Sequence, residues 1–137
     1  MQGHTGPFIQ YTHARIKALL RKAEAVKLPD FLPDGQVSNL EPSERDVIAL
    51  LNSYPAKLEE AAKTFSPAII ASYAFELAKE YNQFYQAIPV LSETDPTKLK
   101  FRIAFTEVVG SVLKKAMGVL GIDVPERMWT IYQKDNL

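Results

Sequence analysis

Tyr11, Arg15 and Lys22 are the side chains whose types and spacing could do chemistry at the start of this chain. Tyr11 and Arg15 stand one helical turn apart, and Lys22 follows further along the same edge. Together they supply a stacking ring, a planar guanidinium and a phosphate contact. Single-stranded nucleic acid is held by such groups, which stack on splayed bases and bond to exposed base edges. The same pattern also reads as a tyrosine tucked against a core with two solvated cations. Position on the helical wheel alone favours that second reading.

Reactive groups of other kinds are sparse. The histidines are His4 and His13, and there is no cysteine. Thiolate ligation and a disulfide scaffold are therefore excluded, and no paired histidines suggest zinc. No phosphate-binding glycine loop ends in Lys-Ser or Lys-Thr, and no nucleophile elbow occurs. His13 flanks an apolar stripe and is expected to be a half-exposed helix residue. Lys114 and Lys115 read as solubilising charges that could touch a phosphate backbone.

The elements that must carry these residues are helices. On a wheel, Ile9, Thr12, Ile16, Leu19, Leu20, Ala23 and Val26 form one stripe, so a helix is predicted over 8–26. Tyr11, Arg15 and Lys22 line one edge of it; His13, Lys17 and Arg21 line the other. Proline and Asp-Gly signals make 29–42 a loop. Its acidic residues read as solvated, or as repelling RNA from the wrong face. A second helix starts with Ser43 as N-cap and acids in its first turn. Asn52 to Pro55 is expected to break it, with Pro55 opening a third. Ser66-Pro67 opens a fourth helix running to about Ala87, its stripe including the core rings Tyr73 and Tyr81. Asp95-Pro96 opens a fifth, apolar round most of its circumference, which ends on Gly121 as a left-handed cap. Residues 129–137 read as a tail, with Trp129, Ile131 and Tyr132 able to dock it. The expectation is an all-α, single-domain bundle of about five helices.

The chain has 137 residues, 47% of them hydrophobic, and a formal net charge of zero. That length suffices for one domain with a core. No run reaches the roughly 18 apolar residues of a membrane span, and the start lacks the basic, then apolar, then small-residue order that would read as a signal peptide. A nucleic-acid binder is usually basic, so net charge lends no support to that function. Charge is nonetheless segregated: residues 10–27 carry Arg15, Lys17, Arg21, Lys22 and Lys27 against Glu24 alone.

Two motifs in order resemble a known family. Gly3-His4-Thr5-Gly6-Pro7-Phe8-Ile9-Gln10-Tyr11, with Arg15 four residues on, resembles the Gly-x-Thr-Gly-Pro-Tyr-x-Gln-Tyr-x-x-x-Arg segment of arginyl-tRNA synthetases. Leu120-Gly121-Ile122-Asp123-Val124-Pro125-Glu126-Arg127-Met128 is similar to that family's C-terminal signature. The resemblance implies the helical, DALR-type anticodon-binding domain of a class I synthetase, although an Asp-Ala-Leu-Arg string is absent. It implies that 1–7 ends a linker from a catalytic domain, that 8–128 binds the anticodon loop and that 129–137 is a C-terminal tail.

By the same resemblance, Tyr11 and Arg15 meet the anticodon loop of an arginine tRNA. Phe8 stands at a position that is usually tyrosine, and can stack without offering a hydroxyl. Tyr85 occupies a helix-end position where the family often has an aromatic facing the loop. Met128 matches a terminal methionine that packs on anticodon nucleotides, and here nine residues follow it. Phe8, Tyr11, Arg15, Lys22, Tyr85 and Met128 are thus the candidate tRNA-binding residues. The His-Ile-Gly-His-like and Lys-Met-Ser-Lys-Ser-like motifs of the catalytic domain do not occur. The fragment alone is expected to be inactive and to need no cofactor, while the full-length parent would use ATP and magnesium to ligate arginine to tRNA. The expected setting is a cytoplasmic monomer whose partners are arginine tRNA and its own catalytic domain, with no membrane or DNA partner. The alternative is a helical protein-interaction module without RNA binding, which the zero net charge favours.

Overall fold

In the computed structural model, residues 5–26 and 39–128 are described. They form four α-helices: α1 Thr5–Ala23, α2 Pro42–Thr64, α3 Pro67–Ala87 and α4 Pro96–Val119, with a 3-10 turn at Val90–Ser92 between α3 and α4. The all-α expectation holds, with four helices in place of about five. The tail 129–137, most of the 29–42 loop, and His4 lie outside the described residues.

The difference in number comes from Pro55. It removes one intrahelical hydrogen bond, yet α2 continues through it as a single helix. Pro55 faces solvent, while Leu50, Leu51, Tyr54, Leu58 and Ala61 on both sides of it pack on the core. The Tyr73 hydroxyl donates to the Leu50 carbonyl at 2.6 Å, and the Tyr54 and Tyr73 rings stack 5.4 Å apart. Packing along α3 outweighs the local cost of the proline.

Caps explain the other boundaries. Gly6 and Pro7 lie in the first turn of α1, where backbone N–H groups have no helical partner in any case. The helix therefore starts at Thr5, ahead of the expected Phe8. The N-cap of α2 is Glu41 rather than Ser43, and Glu44 reaches back to the Glu41 N–H at 3.4 Å. Ser66 caps α3 through its backbone position, without a side-chain bond. Asp95 caps α4, accepting from Thr97 N–H at 2.9 Å. Gly121 is left-handed at φ 73°, and Ile122 N–H closes on the Met117 carbonyl at 2.9 Å.

The core lies where α1, α3 and α4 meet, with α2 packed on α3. Ile9, Ile16, Leu77, Tyr81, Phe84, Val109 and Leu113 are fully enclosed. At Gly110 a Cβ would meet Ile16 Cγ2 at 2.9 Å, so this glycine lets α1 and α4 approach closely. Contrary to expectation, α4 is not buried round most of its circumference. Its buried residues step by threes and fours along one face, and Val108 and Val119 are exposed. One member of that face is Arg102, which pairs with buried Glu44 at 3.0 Å and with Glu93 at 2.7 Å. This ion triad ties α2, α4 and the segment after the 3-10 turn together. The Arg102 contact, after a backbone N–H from Asp95, helps hold the Glu93 carboxyl below the usual carboxylate range.

Candidate nucleic-acid interface

A groove of about 670 Å³ runs along the open edge of α1. The α1 wall carries Tyr11, Arg15, Arg21 and Lys22; Tyr85 and the 3-10 turn form the facing side, and Glu126, Arg127 and Met128 close one end. Of the six candidates from the sequence, Tyr11, Arg15, Lys22, Tyr85 and Met128 line this one groove. Phe8 does not. Its ring is half-buried and turned to Phe75 of α3, with centroids 5.5 Å apart.

Arg15 is the best-held group in the groove. One guanidinium nitrogen donates to Asn82 Oδ1 at 2.8 Å and another to the Tyr11 hydroxyl at 2.7 Å. The guanidinium carbon also lies 4.5 Å from the Tyr85 ring centre and 4.8 Å from that of Tyr11. It thus joins two rings from different helices into one platform by cation–π contact. Asn82 is buried and fixed in turn, its amide donating to Thr12 Oγ1 at 2.7 Å and to the Ala78 carbonyl at 2.9 Å. Thr12 donates to the Phe8 carbonyl at 2.9 Å. Every member of the chain from Phe8 to Arg15 has a partner, which fixes the guanidinium plane before any ligand arrives.

The rim is charged as well as aromatic. Among the described residues, Arg15, Arg21, Lys22 and Arg127 line it, with Glu126 the one acid. A neutral protein therefore presents a local cationic groove. Tyr11 is 45% exposed, an unusual state for a ring on a well-packed helix. A base can stack on the Tyr11–Arg15–Tyr85 platform while phosphates meet the rim cations. Among the described residues, no cluster of histidine, aspartate and glutamate could hold a metal ion.

Residues 9–128 match the family described as DALR anticodon binding domain. The chain belongs to that family. An arginine–tRNA ligase of Phocaeicola vulgatus is 44% identical over 128 residues, covering 92% of this chain and 21% of that protein. One from Flavobacterium psychrophilum is 46% identical over 127 residues, covering 92% and 20%. The solved Thermus thermophilus arginyl-tRNA synthetase superposes with a TM-score of 0.78 at 31% identity, over 93% of this chain and 22% of that one. The chain spans about a fifth of the length of the curated relatives it matches.

Other parts of the DALR domain's groove were not legible from sequence. Arg21 lies on the far edge beside Lys17, as expected, and its long side chain also reaches the groove, donating to the Glu126 carbonyl at 3.3 Å. Arg127 was visible only as a letter in the terminal motif. Asn82 falls beside Tyr81 on the core stripe of α3, and a polar residue there was the available signal. His13 is corrected too: it is 1% exposed rather than half-exposed. Burial lowers its pKa below 6.5, with Lys17 and Lys114 adding to the effect and the Pro125 carbonyl and Glu126 opposing it.

Proposed function

We propose that this DALR domain grips the anticodon stem-loop of an arginine tRNA as part of an arginyl-tRNA synthetase. The parent would use ATP and magnesium to join arginine to that tRNA, in the cytoplasm and as a monomer. This domain's part is positional. It holds the anticodon end while the acceptor end reaches a catalytic region elsewhere in the parent. The observation that carries the reading is the platform of Tyr11, Arg15 and Tyr85 beside Arg127 and Met128 in one cationic groove. An unpaired loop base offers a π-face that such a platform accepts, and base-edge contacts at the groove's end supply selectivity.

The test is a titration of the 137-residue chain with an arginine-tRNA anticodon stem-loop and with the same stem-loop carrying another anticodon. Tighter binding of the first at low salt supports anticodon reading. Equal binding, or none, removes it and leaves the protein-interaction reading.

A further inference from the structure

Residues 123–128 form no helix or strand, yet they bring Arg127 and Met128 to the groove. Backbone groups outside regular structure need other partners. Here α1 provides them. Gln10 Nε2 donates to the Asp123 carbonyl at 3.0 Å, His13 Nδ1 lies 2.8 Å from the Pro125 carbonyl, and Arg21 donates to the Glu126 carbonyl at 3.3 Å. The segment is thus strapped along one face of α1, in the same chain direction, by contacts that ignore its own side chains.

His13 shows most clearly what the strap requires. A carbonyl partner obliges Nδ1 to carry the proton. That leaves Nε2 as an acceptor, and it is buried with no hydrogen-bond partner among the described residues. An unsatisfied buried acceptor is costly, so an apolar side chain would suit the core better. What the imidazole supplies at this position, and an apolar side chain could not, is the bond to Pro125. Three residues further on is Met128. One residue of slippage moves a chain by about 3.5 Å, enough to take Met128 and Arg127 off the groove.

We infer that Gln10 and His13, with Arg21, are positioning residues that set affinity for the anticodon loop by clamping the strap that carries Arg127 and Met128. This rests on the anticodon-loop reading of the groove. Gln10 and His13 do not line the groove, so they act through the strap.

The experiment uses the 137-residue chain and has two arms. In the first, backbone order parameters are measured by 15N relaxation without RNA. Gln10→Ala and His13→Ala should lower those of Val124, Glu126, Arg127 and Met128 from about 0.85 toward about 0.6, with the α4 core amides unchanged. His13→Asn, which keeps an N–H near the Nδ1 position, should restore them. In the second, the arginine-tRNA stem-loop is titrated. Each alanine variant should weaken binding about fivefold to tenfold. The His13→Ala effect should shrink in a Met128→Ala background, where the strap keeps only Arg127 at the groove. If His13→Ala does not fold, Gln10→Ala carries both arms. Unchanged order parameters overturn the clamp. Lower order parameters with unchanged affinity overturn the positioning role. A wild-type chain that binds neither stem-loop overturns the reading of the groove and the role in affinity with it, while the relaxation arm still decides the clamp.

Discussion

At the residue scale, charge alone does not describe Arg15. Its guanidinium is held flat by Asn82 and the Tyr11 hydroxyl and lies over two rings. A lysine keeps the charge but has no planar fork to bridge those partners. Arg15→Lys is therefore expected to weaken stem-loop binding by about tenfold while moving the thermal midpoint little, read by titration and melting on the same sample. Wild-type affinity in that variant would refute the platform. His13 makes a different claim, about pH. Its pKa in the fold lies below 6.5, so the unfolded chain binds more protons in the window just under that value. Its contribution is complete above pH 6.5 and diminishes as pH falls through that window. Urea unfolding at pH 7.5 and 5.5 should show a loss of stability on acidification that is smaller in His13→Asn. An identical loss in both proteins would show that His13 is not the titrating group. Helical periodicity made Tyr11, Arg15 and Lys22 legible as one edge. Asn82 and the true burial of His13 were not legible, because each depends on what a distant segment places beside it.

At the element scale, local signals succeeded at the two ends of α4 and failed at Ser43 and at Pro55. Asp95 and Gly121 behave as their types demand, since a cap is satisfied within a few residues of itself. Pro55 does not, because the apolar residues on both sides of it gain more from α3 than one backbone bond costs. Arg102 departs from its local pattern for a related reason. It occupies a stripe position between Leu99 and Phe105, where an arginine could be read as an interruption of the stripe. Its charge is answered by Glu44, which is 58 residues away in sequence and was read only as a first-turn acid. Removing Arg102 leaves the Glu44 carboxylate buried and without its charge partner. Arg102→Met is expected to cost about 3–5 kcal/mol, measured by urea unfolding, and a double change to Arg102→Met with Glu44→Leu should recover much of it. A loss below about 1 kcal/mol would place the triad among weak surface pairs instead.

At the scale of the whole molecule, the net charge of zero is the quantity least informative about function. It sums acids and bases spread along the whole chain, whereas Arg15, Arg21, Lys22 and Arg127 share one groove. Its bearing on RNA is therefore local, and salt dependence is the property that exposes it. Arg15 is committed to Asn82 and the two rings, and Arg21 to the Glu126 carbonyl, so on the proposed reading Lys22 and Arg127 are the cations that meet phosphates. Each phosphate neutralised on a single-stranded loop contributes about −0.7 to the slope of log K against log salt. Two contacts give a slope of about −1.4, shallow beside that of a basic nucleic-acid binder and steep beside that of a helical module with no RNA site. Lys22→Ala should flatten the slope by about 0.7 and weaken cognate and swapped-anticodon loops alike, since phosphate contacts carry no sequence. Met128→Ala should leave the slope unchanged and reduce the difference between the two loops. Titrations of wild type and both variants across 50 to 200 mM salt separate these effects. If both substitutions flatten the slope equally, then the division of the groove into a phosphate-facing rim and a base-reading end is wrong.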